Sequence, residues 1–216
     1  MQPILPQPEA SIAPFDDEEY EEQCLVSSFW TASRLLVIVG IFLFGTFVFA
    51  YFYLRALNSS HAWRVHHQHP SMIIGTMVAV CVVLAALVHY VGARRLQIGS
   101  LWDWQVSSLV SLIVTAIAAG LQVWEMTRLP FSPASSGYTS VFVAWMPVYI
   151  LFIIGQWFWL EILLARSVRA PEAVLAETEE GVLIVSRFGA NVEGFVLFSE
   201  FMVVSAIAIW ILFYVL

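Results

Sequence analysis

The chain has 216 residues, 60% hydrophobic and only 12% charged, with a net charge of -7. Soluble domains carry about 25% charged residues, so a water-soluble globule is excluded and the composition is that of an integral membrane protein. All nine basic residues are arginines and they form no basic patch, which excludes a nucleic-acid partner.

Residues 1–33 form a tail of different character. Seven of the sixteen acids (Glu9, Asp16, Asp17, Glu18, Glu19, Glu21, Glu22) precede Arg34, while the remaining nine balance the nine arginines. The tail is Pro-rich and acidic, without the basic and apolar regions of a signal peptide, and is expected to be disordered. Residues 34–216 read as one all-α membrane domain. A crossing helix needs roughly 20 mostly apolar residues, and five stretches qualify: Leu35–Leu54, Ser71–Ala93, Val106–Trp124, Tyr138–Leu160 and Gly194–Leu216. The fold class is therefore a polytopic bundle of five transmembrane helices.

Five spans put the termini on opposite sides. Arg34, Arg94, Arg95, Arg166, Arg169 and Arg187 fall on the tail side, and Arg55, Arg64 and Arg128 on the other. This six-to-three bias predicts a cytoplasmic N-terminus and an outer C-terminus. The first span ends in "FLFGTFVFAYFYLR", Phe42 to Arg55, with seven rings and one charge. Tyrosines and a terminal arginine suit the headgroup level, making Tyr51, Tyr53 and Arg55 candidates for lipid or subunit contact. Between the last two spans, the apolar Gly181–Val185 inside an acidic loop could dip into the interface, touch a partner or simply turn.

Few residues could carry chemistry. Cys24 and Cys81 show no pairing or CxxC spacing. In "HAWRVHHQH", His66 and His69 have a spacing that could serve a metal, but no acid or cysteine accompanies them, and a polar interfacial loop is the simpler reading. His89 stands alone within a span, so a bis-His haem has no second ligand. Its nearness to Arg94 and Arg95 suggests an interfacial residue. Acids inside a membrane are costly and often functional. Glu125 and Glu161 lie near span ends, where snorkelling lowers the cost. Glu200 lies six residues into its span, about 9 Å along the axis, and needs a proton, a polar partner or a protein interface.

The order of motifs carries a resemblance. "GTFVFAYFYLR" (Gly45–Arg55) resembles the aromatic end of the first shared helix in subunit III of haem-copper oxidases. "AAGLQVWEMTRL" (Ala118–Leu129) is similar to the family's Q-x-x-E element through Gln122, Glu125 and Leu129. "GYTSVFVAW" (Gly137–Trp145) is similar to the start of its next helix, and "FVLFSE" (Phe195–Glu200) to the opening of its final helix, with Glu200 in place of Asp. The order holds from about Val37 to Leu216 and suits the five-span form of the subunit. Where the family has an acid in the first helix this chain has Gly40, and the family's two histidines fall on Tyr149 and Phe152.

The resemblance implies a non-catalytic subunit of a proton-pumping cytochrome c or quinol oxidase in aerobic respiration. Such a subunit binds no cofactor, with haem and copper in partner subunits. It packs beside subunits I and II, stabilises subunit I, holds phospholipids and supports proton uptake. Cytochrome c or a cytochrome bc complex would be reached through the wider assembly. Gln122, Glu125 and Glu200 join the lipid or subunit contact candidates. Three alternatives stay open: an accessory protein of nitric oxide reductase, an assembly factor, and a small independent transporter using Glu200 and His89.

Overall fold

The computed structural model describes residues 17–58, 63, 69–174 and 186–216. It consists of five long helices: α1 Asp17–Leu57, α2 Met72–Gln97, α3 Leu101–Thr127, α4 Gly137–Arg169 and α5 Arg187–Trp210. A 3₁₀ turn, Pro133–Ser135, precedes α4, and a π-helical turn, Ile211–Val215, ends α5. No strand occurs among the described residues. Each of the five helices is long and apolar enough to cross a membrane, and the chain is an all-α, multi-pass membrane bundle.

Local signals decide where helices stop. After α2, Gly99 sits at φ +84°, and the N–H groups of Gly99 and Ser100 donate to Leu96 O (2.9 Å) and Arg95 O (3.0 Å). This is a Schellman closure, in which a left-handed residue lets two orphan carbonyls be satisfied. It turns the chain into α3 within three residues. Ser71, Ser136 and Ser186 cap α2, α4 and α5 by accepting hydrogen bonds from Ile74, Thr139 and Gly189 N–H. α4 runs through Pro147 without a break.

The tail reading changes over residues 17–33. α1 starts at Asp17, so this stretch is helix. Its Glu, Gln and Leu residues have good helix propensity, and a helix already nucleated in the span extends cheaply into them. Residues 1–16 lie outside the described residues, as do Gly181–Val185.

α1 and α5 are parallel, and two glycines fix their register. A side chain on Gly194 would collide with Ser33, and one on Gly40 would meet the Phe201 ring. No carboxylate fits at Gly40 while Phe201 stands there. α2 and α3 also approach closely: Gly92 leaves room for Ser107, and Ser111 Oγ donates to Ala85 O at 2.9 Å. Small residues are what allow such close helix contacts in lipid. α5 is the most enclosed helix, with 50% of its most apolar window buried against 17% for α1. α1 is thus the peripheral element, joined to the bundle mainly through α5 and α4.

Candidate functional site

Gln122 and Glu125 are three residues apart on α3 and so share a face. That face points inward: Gln122 is 1% exposed and Glu125 2%. Gln122 Nε2 donates to Glu125 Oε2 at 3.2 Å, and Tyr214 Oη donates to the same oxygen at 2.7 Å. Glu125 Oε1 is buried without a hydrogen-bond partner, and the backbone of Ser71 at the start of α2 lies close to the carboxylate. The expected snorkelling of Glu125 is therefore not what the structure shows. The C-terminal turn folds over it and supplies a donor in place of the headgroup region.

Tyr214 reaches Glu125 across α2, and Gly75 makes the crossing. A Cβ on Gly75 would collide with the Tyr214 ring. Two further bonds pin the same end of α5. Trp210 Nε1 donates to Thr76 Oγ1 at 3.0 Å, and Tyr138 Oη donates to Phe213 O at 2.7 Å. The π-helical turn swings both Phe213 O and the Tyr214 ring into these positions, and π-turns recur where a helix is reshaped for a local purpose. Four helices thus meet at one carboxylate and its surroundings. One oxygen holds two donors, and the start of α2 flanks the carboxylate. No nucleophile–base pair is arranged there.

The aromatic run at the end of α1 divides between two environments. Phe44 and Tyr51 are seven residues apart, on one helical face, and are 5% and 0% exposed. Tyr51 meets Trp63 and Phe213 edge-on, with centroids at 5.1 and 5.6 Å. Phe42, Phe49, Phe52 and Tyr53 point outward. Tyr53 stacks on Phe49 at 5.6 Å, and the exposed Arg55 sets its guanidinium 6.0 Å from the Tyr51 ring. Tyr51, Gln122 and Glu125 are therefore internal, and of the candidate contact residues Arg55, Tyr53 and Glu200 are the exposed ones.

Glu200 is exposed on α5, and no hydrogen bond or ion pair joins it to another described residue. It lies where two depressions meet. One, of about 290 Å³, is lined by Trp30, Tyr90, Arg94, Gln97 and Glu193 among others. The other, of about 420 Å³, is an apolar groove between α1 and α5. In the first, Arg94 donates to Tyr90 Oη (2.9 and 3.1 Å) and Gln97 Oε1 (3.2 Å), and Gln97 Nε2 donates to Glu193 Oε1 (2.7 Å). This chain of bonds ties α2 to α5. Glu161, on α4, is exposed beside Arg166 and Arg169 in a third, separate depression.

His89 is corrected. It is not interfacial but 0% exposed, with the Phe195 and Trp104 rings at 4.6 and 6.4 Å. α2 continues two turns beyond it to Gln97 and turns it into the bundle. His61, His66 and His67 lie outside the described residues, and His69 is exposed. Among the described residues no group of three or more His, Cys, Asp or Glu could hold a metal ion. Cys24 and Cys81 are both free thiols.

Sequence reasoning did not single out Gly75, Tyr214 or Tyr138 as partners of this centre. Their link to Glu125 runs between helices far apart in the chain, so no local spacing reports it. The chain matches no protein-family model and no curated protein.

Proposed function

We propose that this chain is a non-catalytic membrane subunit, of subunit III type, in a haem-copper terminal oxidase of a prokaryotic plasma membrane. The observation that carries the reading is the Gln122–Glu125 pair. The two residues that mark the resemblance in α3 act as one hydrogen-bonded unit, closed by Tyr214. A motif with a packing purpose should behave in this way. The internal polar groups serve helix association: Gln156 donates to Ser199, and Trp159 Nε1 to Asn191 Oδ1. The chain's role is then to bind and stabilise the catalytic subunit and to support proton uptake on the tail side, which the arginine bias makes cytoplasmic. Haem and copper belong to the partners, and phospholipids cover the outward rings.

Affinity purification of the tagged full chain in mild detergent tests this. The expected result is a complex containing a haem-copper oxidase subunit I. Recovery with a nitric oxide reductase would move the chain to that complex. Recovery alone, or with unrelated transport proteins, would overturn the reading.

A further inference from the structure

The groove between α1 and α5 poses a separate question, which stands whichever complex the chain joins. Its walls are Val37, Ile41, Val48, Val204 and Ile209, with small residues Gly45, Ser205 and Ala208 between them. A Cβ on Gly45 would meet nothing within 4 Å, so this wall is open. Glu200 stands near the tail-side end of the groove. It is seven residues beyond Glu193, hence about 10 Å deeper along α5. Glu193 is already bonded to Gln97, and Gln97 to Arg94.

Three occupants can be weighed. Lipid tails fill an apolar groove but offer no donor to a carboxylate at this depth, and Arg94 is engaged by Tyr90 and Gln97 instead of reaching Glu200. A second copy docked groove to groove would set Glu200 against Glu200 at the same depth and bring no cation to pair either acid. A partner helix carrying a cation meets both demands. Small residues let its backbone approach, and a charged donor pairs the acid, as intramembrane acids require.

We infer that the α1–α5 groove receives a transmembrane helix of another subunit, which presents an arginine or lysine to Glu200. Electrostatic pairing then sets the depth at which that helix seats, and the small residues set how closely it packs.

The test is photo-crosslinking of the full chain in native membranes. The photoreactive residue replaces Phe42 on α1 or Ile207 on α5, both exposed beside the groove, with Ile113 on α3 as the distant control. The expected result is one protein adduct from each groove position, mapping to a membrane helix with Arg or Lys within a turn of the level of Glu200. Glu200→Lys should lower the adduct yield about tenfold or more, since one misplaced charge exceeds the energy of a tenfold change. Exchanging the partner's cation for Glu should restore it in the Glu200→Lys chain. Gly45→Trp fills the open wall and should abolish the adduct while the chain's melting temperature is kept. Adducts to lipid alone, to a second copy, or to a helix lacking a cation at that depth would overturn the inference. So would an unchanged adduct in both variants.

Discussion

Gly75→Ala distinguishes a latch from simple proximity between the end of α5 and Glu125. The added methyl would occupy the space of the Tyr214 ring. Either α2 and α5 part or the ring leaves, and if it leaves Glu125 keeps only Gln122, at 3.2 Å. Hydrogen bonds to charged groups contribute about 1.5–3 kcal/mol in soluble proteins. Side-chain bonds between membrane helices average about 0.6 kcal/mol and reach about 1.7. The 2.7 Å bond to a carboxylate oxygen belongs near the upper end of the membrane range, so Tyr214→Phe should cost about 1–2 kcal/mol. Gly75→Ala adds overpacking, worth about 1–3 kcal/mol, and should cost about 2–5 in all. In a Tyr214→Ala chain the obstacle is absent, and Gly75→Ala should cost less than about 0.5 kcal/mol. Reversible unfolding in mixed micelles gives all four stabilities of the cycle. If the Gly75 and Tyr214 effects instead add within about 0.5 kcal/mol, the two residues do not act through each other and the latch is refuted.

Three other outcomes follow from the same geometry. Gly99→Ala must place a side chain at φ +84° and should cost about 1 kcal/mol by thermal melting in detergent, with the α2–α3 contact weakened first. Tyr138→Phe frees the buried Phe213 carbonyl and should cost about 1–2 kcal/mol, with faster amide exchange confined to the C-terminal turn. Reporter fusions at residue 20 and at Leu216 should label opposite faces of the membrane, with the N-terminal reporter cytoplasmic. A cytoplasmic C-terminal reporter would contradict the arginine bias.

The five spans were legible because lipid demands long apolar runs, and each run found in the sequence falls, to within a residue, inside one of the observed helices or its C-terminal turn. Their ends were not legible from hydropathy. α2 runs on through Arg94 and Arg95 until Gly99 turns it, and α4 runs on through Arg166 to Arg169, because a helix ends at a cap and not where its side chains become polar. Glu125 and His89 show the harder limit. Both lie toward the ends of their spans, where an interfacial position is the economical reading. Their burial depends on what the rest of the bundle does: Tyr214 closes over one, and Trp104 and Phe195 enclose the other. The sequence left Glu200 three ways to be satisfied, a proton, a polar partner or a protein interface, and no described residue supplies the polar partner. The inward turn of Tyr51, with Tyr53 outward, follows from helical phase once Phe44 is known to be core. Hydropathy, equal on all faces of α1, does not supply that phase.

The central claim is that this chain serves a redox complex without holding a redox centre. Reduced-minus-oxidised spectra of the chain purified alone and of the complex purified through it test this most directly. The account predicts haem bands in the complex and none at stoichiometric intensity in the isolated chain. A stoichiometric haem band from the isolated chain, or a complex free of haem, would contradict it.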